Sequence, residues 1–210
     1  MHSVPQPIPM KVILVLASWS SGSTAVAGFL DKCGCYSCPP HQTTDDIKTP
    51  VAYESKQYRD ALVNCIDECT LKIKGSAEDF ESFFKEWIAQ QYVKARENGC
   101  SSIILKHPLQ SFLLQKITKH ISPICVVVTR PLAKIEQTRL RRKWHPVYGA
   151  AGAKAVYNAT YIYLHENGYC YMAIPYEKFR EDDFVRKQLL SFCGINPTIE
   201  QMHSAISFIK

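Results

Sequence analysis

The chain has 210 residues, of which 46% are apolar and 21% charged, an ordinary soluble globular composition. At this length one core is expected, burying roughly 70% of the surface the unfolded chain exposes, so no disulfide or metal staple is required. The formal charge of +6 is uneven: between Arg130 and His145 six Lys or Arg (Arg130, Lys134, Arg139, Arg141, Arg142, Lys143) face a single acid, Glu136. Such an excess favours an anionic ligand, whether a nucleotide, a sulfated product, nucleic acid or a membrane surface, and it is also what a solvated helix face presents.

In chain order, residues 1–10 carry alternating prolines and read as a loose N-terminal arm ahead of one domain over 11–210. Val12 to Leu16 is a continuous aliphatic run, the signature of a strand buried on both faces. The apolar stretch ends at Ala17, too short for a membrane span or a signal-peptide core, so the chain is read as cytoplasmic. A Ser-Ser-Gly-Ser-Thr turn follows, then a helix over 25–31. Residues 34–52, with Gly, Pro, Thr and Asp, read as a long loop. Helices are predicted over 55–72 and 78–98, the second carrying Phe80, Phe83, Phe84, Trp87, Ile88, Gln91 and Ala95 at core spacing and stopping at Asn98-Gly99. A strand over 102–106, a helix over 110–120 and a strand over 124–129 come next. The remaining elements are helices over 132–143 and 150–167, a strand over 170–174, and helices over 181–193 and 197–208. Strands alternating with helices define an α/β fold, a doubly wound parallel sheet flanked by helices, with ligands beyond the carboxyl ends of the strands.

Nine cysteines are scattered along the chain, which suits a reducing compartment. Cys33, Cys35, Cys38 and His41 lie close enough in sequence to hold zinc. Structural zinc sites usually draw ligand pairs from separated turns, so buried or spare thiols are the expected reading and no metal is expected.

The strand–turn–helix at 12–31 is a phosphate cradle in outline: turn and helix N–H groups meet an anion, and Gly22 allows close approach. Its spacing matches a Walker A loop, but Ser23 stands where ATP and GTP hydrolases carry lysine. Lys106-His107, Arg130 and Tyr176 end strands at the same edge, and four further motifs can be read along the chain. Thr-Pro-Val-Ala-Tyr-Glu-Ser spans 49–55, Leu-Lys-His-Pro-Leu 105–109, the strand-Arg-Pro-helix element 126–142, and Ile-Pro-Tyr-Glu-Lys-Phe 174–179 with Phe-Cys-Gly-Ile beyond it.

In order and spacing these motifs resemble the sulfotransferase family, especially its bacterial and tyrosylprotein-sulfotransferase-like branches, and the likeness covers 12–195. The resemblance implies a P-loop-type sulfotransferase fold and the sulfate donor PAPS, with PAP as its product. Ser20, Ser21, Gly22, Ser23 and Thr24 would hold the 5′-phosphosulfate. Arg130 and Thr138, eight positions apart as in the family's Arg and Ser, would hold the 3′-phosphate. Arg142 would reach the same phosphate or the adenine, and Tyr176 would lie beside the nucleotide. Lys106 would stabilise charge on the sulfuryl group and Glu54 would take the acceptor's proton. His107 is a second candidate base, more often a structural residue. The acceptor would be a hydroxyl, or an amine, on a small molecule, glycan or peptide; no nucleic acid is expected as partner, and no membrane span. One position departs from the family: Ser20 occupies the place of a loop Arg or Lys, at a turn tip expected to face solvent. Two rivals therefore stand beside the sulfotransferase reading, a PAP-binding protein without chemistry and a P-loop phosphotransferase.

Overall fold

The structure, a computed structural model, describes residues 10–44 and 49–209. All but the last residue of the expected N-terminal arm lies outside the described residues, as does part of the expected loop. Four parallel strands form the central sheet: β1 (Lys11–Leu16), β4 (Ser102–Lys106), β5 (Pro123–Thr129) and β6 (Tyr171–Pro175), in the order β4-β1-β5-β6. The chain runs from β1 to one flank and returns to the other for β5 and β6, so the order reverses at β1. Its carboxyl end is the place where such sheets open a crevice.

Both faces of β1 are buried because its side chains alternate between two cores. Val12, Leu14 and Leu16 pack with Phe84, Trp87 and Leu114 on one side. Ile13, Val15 and Ala17 pack with Phe29, Phe179, Leu189 and Ala205 on the other. The first core is covered by α2 (Lys56–Cys65), α3 (Ala77–Glu97), α4 (Leu114–Thr118) and part of α6 (Ala150–Glu166). The second is covered by α1 (Ser23–Lys32), α7 (Tyr176–Glu181), α8 (Asp183–Cys193) and α9 (Ile199–Ile209). Between β5 and α6 runs α5 (Leu132–Arg142), which buries little besides Ile135. The doubly wound parallel sheet read from the sequence is present.

Several boundaries differ, each for a local reason. The expected loop at 34–52 contains a hairpin, β2 (His41–Thr43) antiparallel to β3 (Val51–Ser55). Strand β2 is polar, and in β3 the apolar Val51, Ala52 and Tyr53 run consecutively, so neither proline-flanked strand shows a hydrophobic alternation and pattern alone reads loop. Just before it, Tyr36 bridges to Ile103 and covers the outer edge of β4. The helix expected over 55–72 stops at Cys65, because Asp67 accepts bonds from the Cys69 and Thr70 N–H groups and the Thr70 hydroxyl. A short side-chain acceptor of this kind offers the backbone an alternative to the helix. Pro108 starts a 3-10 turn, Pro108–Phe112, ahead of α4, so the helix expected over 110–120 is shorter. The helix expected over 181–193 is α8, which starts at Asp183 because the Asp182 carboxylate caps the Phe184 N–H, and the short α7 ahead of it was not expected. At α9 Thr198 and Gln201 exchange side-chain to backbone bonds, a reciprocal cap that places the start a residue or two later than expected.

The Cys33/Cys35/Cys38/His41 cluster does not assemble. Cys33 and Cys35 are buried in one core and Cys38 in the other, while His41 Nε2 lies 3.1 Å from the Ser37 carbonyl oxygen. Burial pushes the Cys33 thiol up to about 12 and raises Cys35 and Cys38 as well, which suits small apolar core residues rather than thiolate ligands.

Candidate functional site

At the carboxyl end of β1 the chain folds into the turn 17–22 and starts α1. Ser20 and Gly22 both have positive φ, 59° and 91°. The Ser21 hydroxyl donates to the Ser18 carbonyl at 2.7 Å and pins the turn. No side chain caps α1, whose first residues line an open cleft of about 480 Å³. An uncapped helix start with a positive dipole end is an anion cradle. Gly22 is required twice over: its backbone is left-handed, and a Cβ would sit 2.1 Å from the Tyr176 ring. Gly22→Ala is therefore expected to displace Tyr176 and lower the melting temperature by several degrees. A differential scanning measurement checks this, and an unchanged midpoint would contradict the close packing.

The cleft is lined by Ser20, Gly22, Ser23, Thr24, Glu54, Lys106, Arg130, Thr138, Arg142 and Tyr176. The turn, the hairpin and the ends of β4, β5 and β6 thus bring together the residues singled out from the sequence except two. Ser21 is fully buried with its hydroxyl committed to Ser18, and His107, the second candidate base, is buried outside the lining. The expectation of a solvent-facing tip at Ser20 is also corrected. Its Oγ is buried and has no hydrogen-bond partner among the described residues.

Arg130, just past β5, organises one end of the cleft. Its Nη1 donates to the Ser20 carbonyl at 3.0 Å and to Thr138 Oγ1 at 3.1 Å. Its Nε donates to Glu177 Oε1 at 3.1 Å, and the guanidinium lies 5.2 Å from the Tyr176 ring centroid. Burial would raise the Glu177 carboxyl, but the bond from Arg130, aided by Lys134, leaves it lowered. Arg130 is thus both ion-paired and placed in the cleft.

At the other end, Lys106 at the close of β4 is buried, 5% exposed. Its Nζ donates to Glu54 Oε1 at 2.7 Å, to the Ala52 carbonyl at 2.9 Å and to Thr24 Oγ1 at 3.1 Å. An ammonium has three N–H donors, so all are committed to protein acceptors. The node ties the cradle helix, the hairpin and the sheet to one point. Burial would raise the Glu54 carboxyl; Lys106 and His107 outweigh it and hold it below its ordinary value.

His107 is 2% exposed. Burial, reinforced by Lys106 and Arg59, pushes its ring down to about 4 against the opposing pull of Glu54. A base whose folded pKa is depressed binds its proton more readily in the unfolded chain. The stability it contributes is complete above pH 6.5 and is lost as pH falls toward 4. Between pH 7 and 5 this is expected to cost about 2 kcal/mol, visible as a lower urea midpoint. Glu54, held low, withdraws its own contribution only at more acid pH. A pH-independent midpoint over that range would contradict the neutral buried ring.

Residues not singled out also line the cleft: Trp19 within the turn, Trp144 and Arg141 near the end of α5, Arg180 on α7, and Gln42, Thr44 and Thr49 of the hairpin. Trp19 stacks obliquely on Tyr148 at 4.9 Å, and the Arg142 guanidinium lies 4.5 Å from the Trp144 ring. The signals for this wall were the basic run that contains Arg141 and a tryptophan inside a polar Ser-rich turn. The hairpin residues had none, since their place depends on a fold-back that pattern does not reveal.

A parallel sheet with reversed strand order, an anion cradle after its first strand, and Arg and Lys at the ends of neighbouring strands define a P-loop-like fold. Two solved structures share it. The sulfotransferase domain of the Synechococcus PCC 7002 olefin synthase is 18% identical, with a TM-score of 0.56 over 96% of this chain and 79% of that one. The sulfotransferase STF1 from Mycobacterium tuberculosis H37Rv is 12% identical, with a TM-score of 0.50 over 96% of this chain and 71% of that one. The chain therefore has the sulfotransferase fold. No family model matches the chain, and no curated protein matches it in sequence. Among the described residues no helix is long and apolar enough to cross a membrane.

Proposed function

We propose that the chain transfers a sulfuryl group from PAPS to a hydroxyl, or an amine, of a small molecule, glycan or peptide. The observation that carries this reading is the meeting of Lys106 with Glu54 at 2.7 Å in the cleft that also holds the Arg130–Thr138 pair. One end offers a cation and a carboxylate for chemistry, the other a guanidinium and hydroxyl for a second anionic group. The fit to a nucleotide with two separated anionic groups is supported by the uncapped start of α1, the close approach at Gly22 and the unpartnered Ser20 Oγ. The turn would take the phosphosulfate and Arg130 with Thr138 the 3′-phosphate, with Tyr176 and Arg142 against the rest of the nucleotide. PAPS, when bound, supplies the activated sulfuryl group. Lys106 would steady the charge that develops there, and Glu54 would accept the acceptor's proton. The nine unpaired thiols support a cytoplasmic setting.

A second reading, a PAP-binding protein without chemistry, is favoured by two features. Ser20 brings no cation to the turn, and every N–H of Lys106 is already taken. Catalysis requires Lys106 to exchange at least one of these bonds for the sulfuryl group.

The test is a thermal shift with PAP and with AMP, which lacks the 3′-phosphate. PAP at a hundred times its Kd is expected to add about 2.7 kcal/mol of stability, and AMP far less. Equal shifts would sink the reading. A PAP shift without PAP release from PAPS in the presence of any acceptor would favour the binding protein.

A further inference from the structure

Glu54 has two carboxylate oxygens in unlike surroundings. Oε1 is held by Lys106 at 2.7 Å, whereas Oε2 faces His107 Nε2 at 3.8 Å. The tautomer of His107 follows from its other nitrogen. The Leu109 N–H donates to Nδ1 at 3.2 Å, so Nδ1 is an acceptor and the ring proton of the neutral imidazole sits on Nε2. The N–H of the neutral ring is therefore on the nitrogen nearest the less engaged oxygen of the candidate base, 3.8 Å from it, so that a small shift of either side chain brings the two into hydrogen-bond range. His107 does not line the cleft, so its reach into the site is through Glu54 alone.

We propose that His107 is a positioning residue for Glu54, its Nε2–H orienting the carboxylate so that Oε2 is the oxygen that takes the acceptor's proton. This rests on the sulfuryl-transfer reading above. In that step the acceptor O–H bond breaks as its oxygen bonds to sulfur, and the proton passes to Oε2. The S–O bond to the nucleotide breaks with its electron pair on the departing phosphate of PAP. Oε1 stays with Lys106 until the cation exchanges partners, so a second donor is needed to keep the carboxylate from turning. The charged groups facing Glu54 come from three places: Lys106 and His107 at the end of β4, Arg59 on α2, and Glu68 just beyond it. Arg59 is itself paired with Glu68 at 3.0 Å, which leaves His107 as the donor nearest Oε2.

Two substitutions separate this role from a merely structural one. In His107→Asn the amide oxygen reproduces the Nδ1 acceptor that caps Leu109 and removes the Nε2 donor. In His107→Gln the amide nitrogen reproduces the Nε2 donor and loses the cap. The first readout is the titration of the Glu54 carboxyl, followed by NMR on protein labelled with carboxyl-13C glutamate and assigned with Glu54→Gln. A donor aimed at a carboxylate favours its charged form. His107→Asn is therefore expected to raise the Glu54 titration by about one unit, and His107→Gln to restore it. The second readout is PAP release from PAPS in water, expected to fall tenfold or more in His107→Asn and to stay within threefold of wild type in His107→Gln. The PAP thermal shift should be unchanged in both. A reversed pattern, with Asn behaving as wild type and Gln impaired, overturns the proposal in favour of a simple turn cap, and so does loss of the PAP shift in either variant. If wild type itself shows no PAP shift, the donor reading falls, while the Glu54 titration still decides whether His107 holds that carboxylate.

Discussion

Lys106→Ala is expected to cost about 3–5 kcal/mol of folding stability and to abolish PAP release. The stability loss follows from what the substitution leaves behind. Glu54 keeps its place among Ala52, Tyr53 and His107 with its closest cation gone, and an uncompensated charge near the interior is far costlier than the intact pair is stabilising. Two further bonds, to Thr24 and Ala52, disappear with it, loosening the hairpin from the cradle helix. The loss of turnover follows separately, because Lys106 is the cation closest to the chemistry proposed here. The double variant Lys106→Met with Glu54→Gln removes both charges and should recover most of the stability without recovering turnover. Urea denaturation beside a PAP-release assay checks both parts. Normal stability in Lys106→Ala would contradict the buried pair; normal release would move the catalytic cation elsewhere.

Arg130→Ala should weaken PAP binding by roughly 2–4 kcal/mol, some thirtyfold to a thousandfold in Kd. The guanidinium fork is held by the Ser20 carbonyl, Thr138 and Glu177, so it is preorganised and loses little freedom on meeting a phosphate. Arg130→Lys should recover only part, since a point charge cannot make two parallel bonds or lie over Tyr176 in the same way. Because Arg130 also braces the turn, PAP titration by calorimetry should be paired with a melting curve of the unliganded variant. A stable Ala variant that binds PAP normally would place the second anionic group away from Arg130. A variant that melts early and binds nothing would be separated from a binding defect by Thr138→Val, which leaves the Arg130 bonds to Ser20 and Glu177 in place.

The layering of this protein is legible in local residue patterns alone. Continuous aliphatic runs at β1 and β5 read as strands buried on both faces because local composition reports burial directly. The periodic aromatics of α3 read as a core-facing helix for the same reason. Strand-end residues such as Lys106, Arg130 and Tyr176 were legible as site candidates because a parallel sheet delivers the carboxyl ends of its strands to one edge. Tertiary structure decided what pattern cannot carry. It folded a polar segment into the β2–β3 hairpin that delivers Glu54, it turned Ser21 inward, and it separated Cys38 from Cys33 and Cys35 across the sheet. It also committed all three donors of Lys106, a fact that depends on Thr24, Ala52 and Glu54 arriving from two distant segments. Periodicity encodes which way a side chain faces along its own element; which partner it meets is set by how the elements pack, and no single segment contains that.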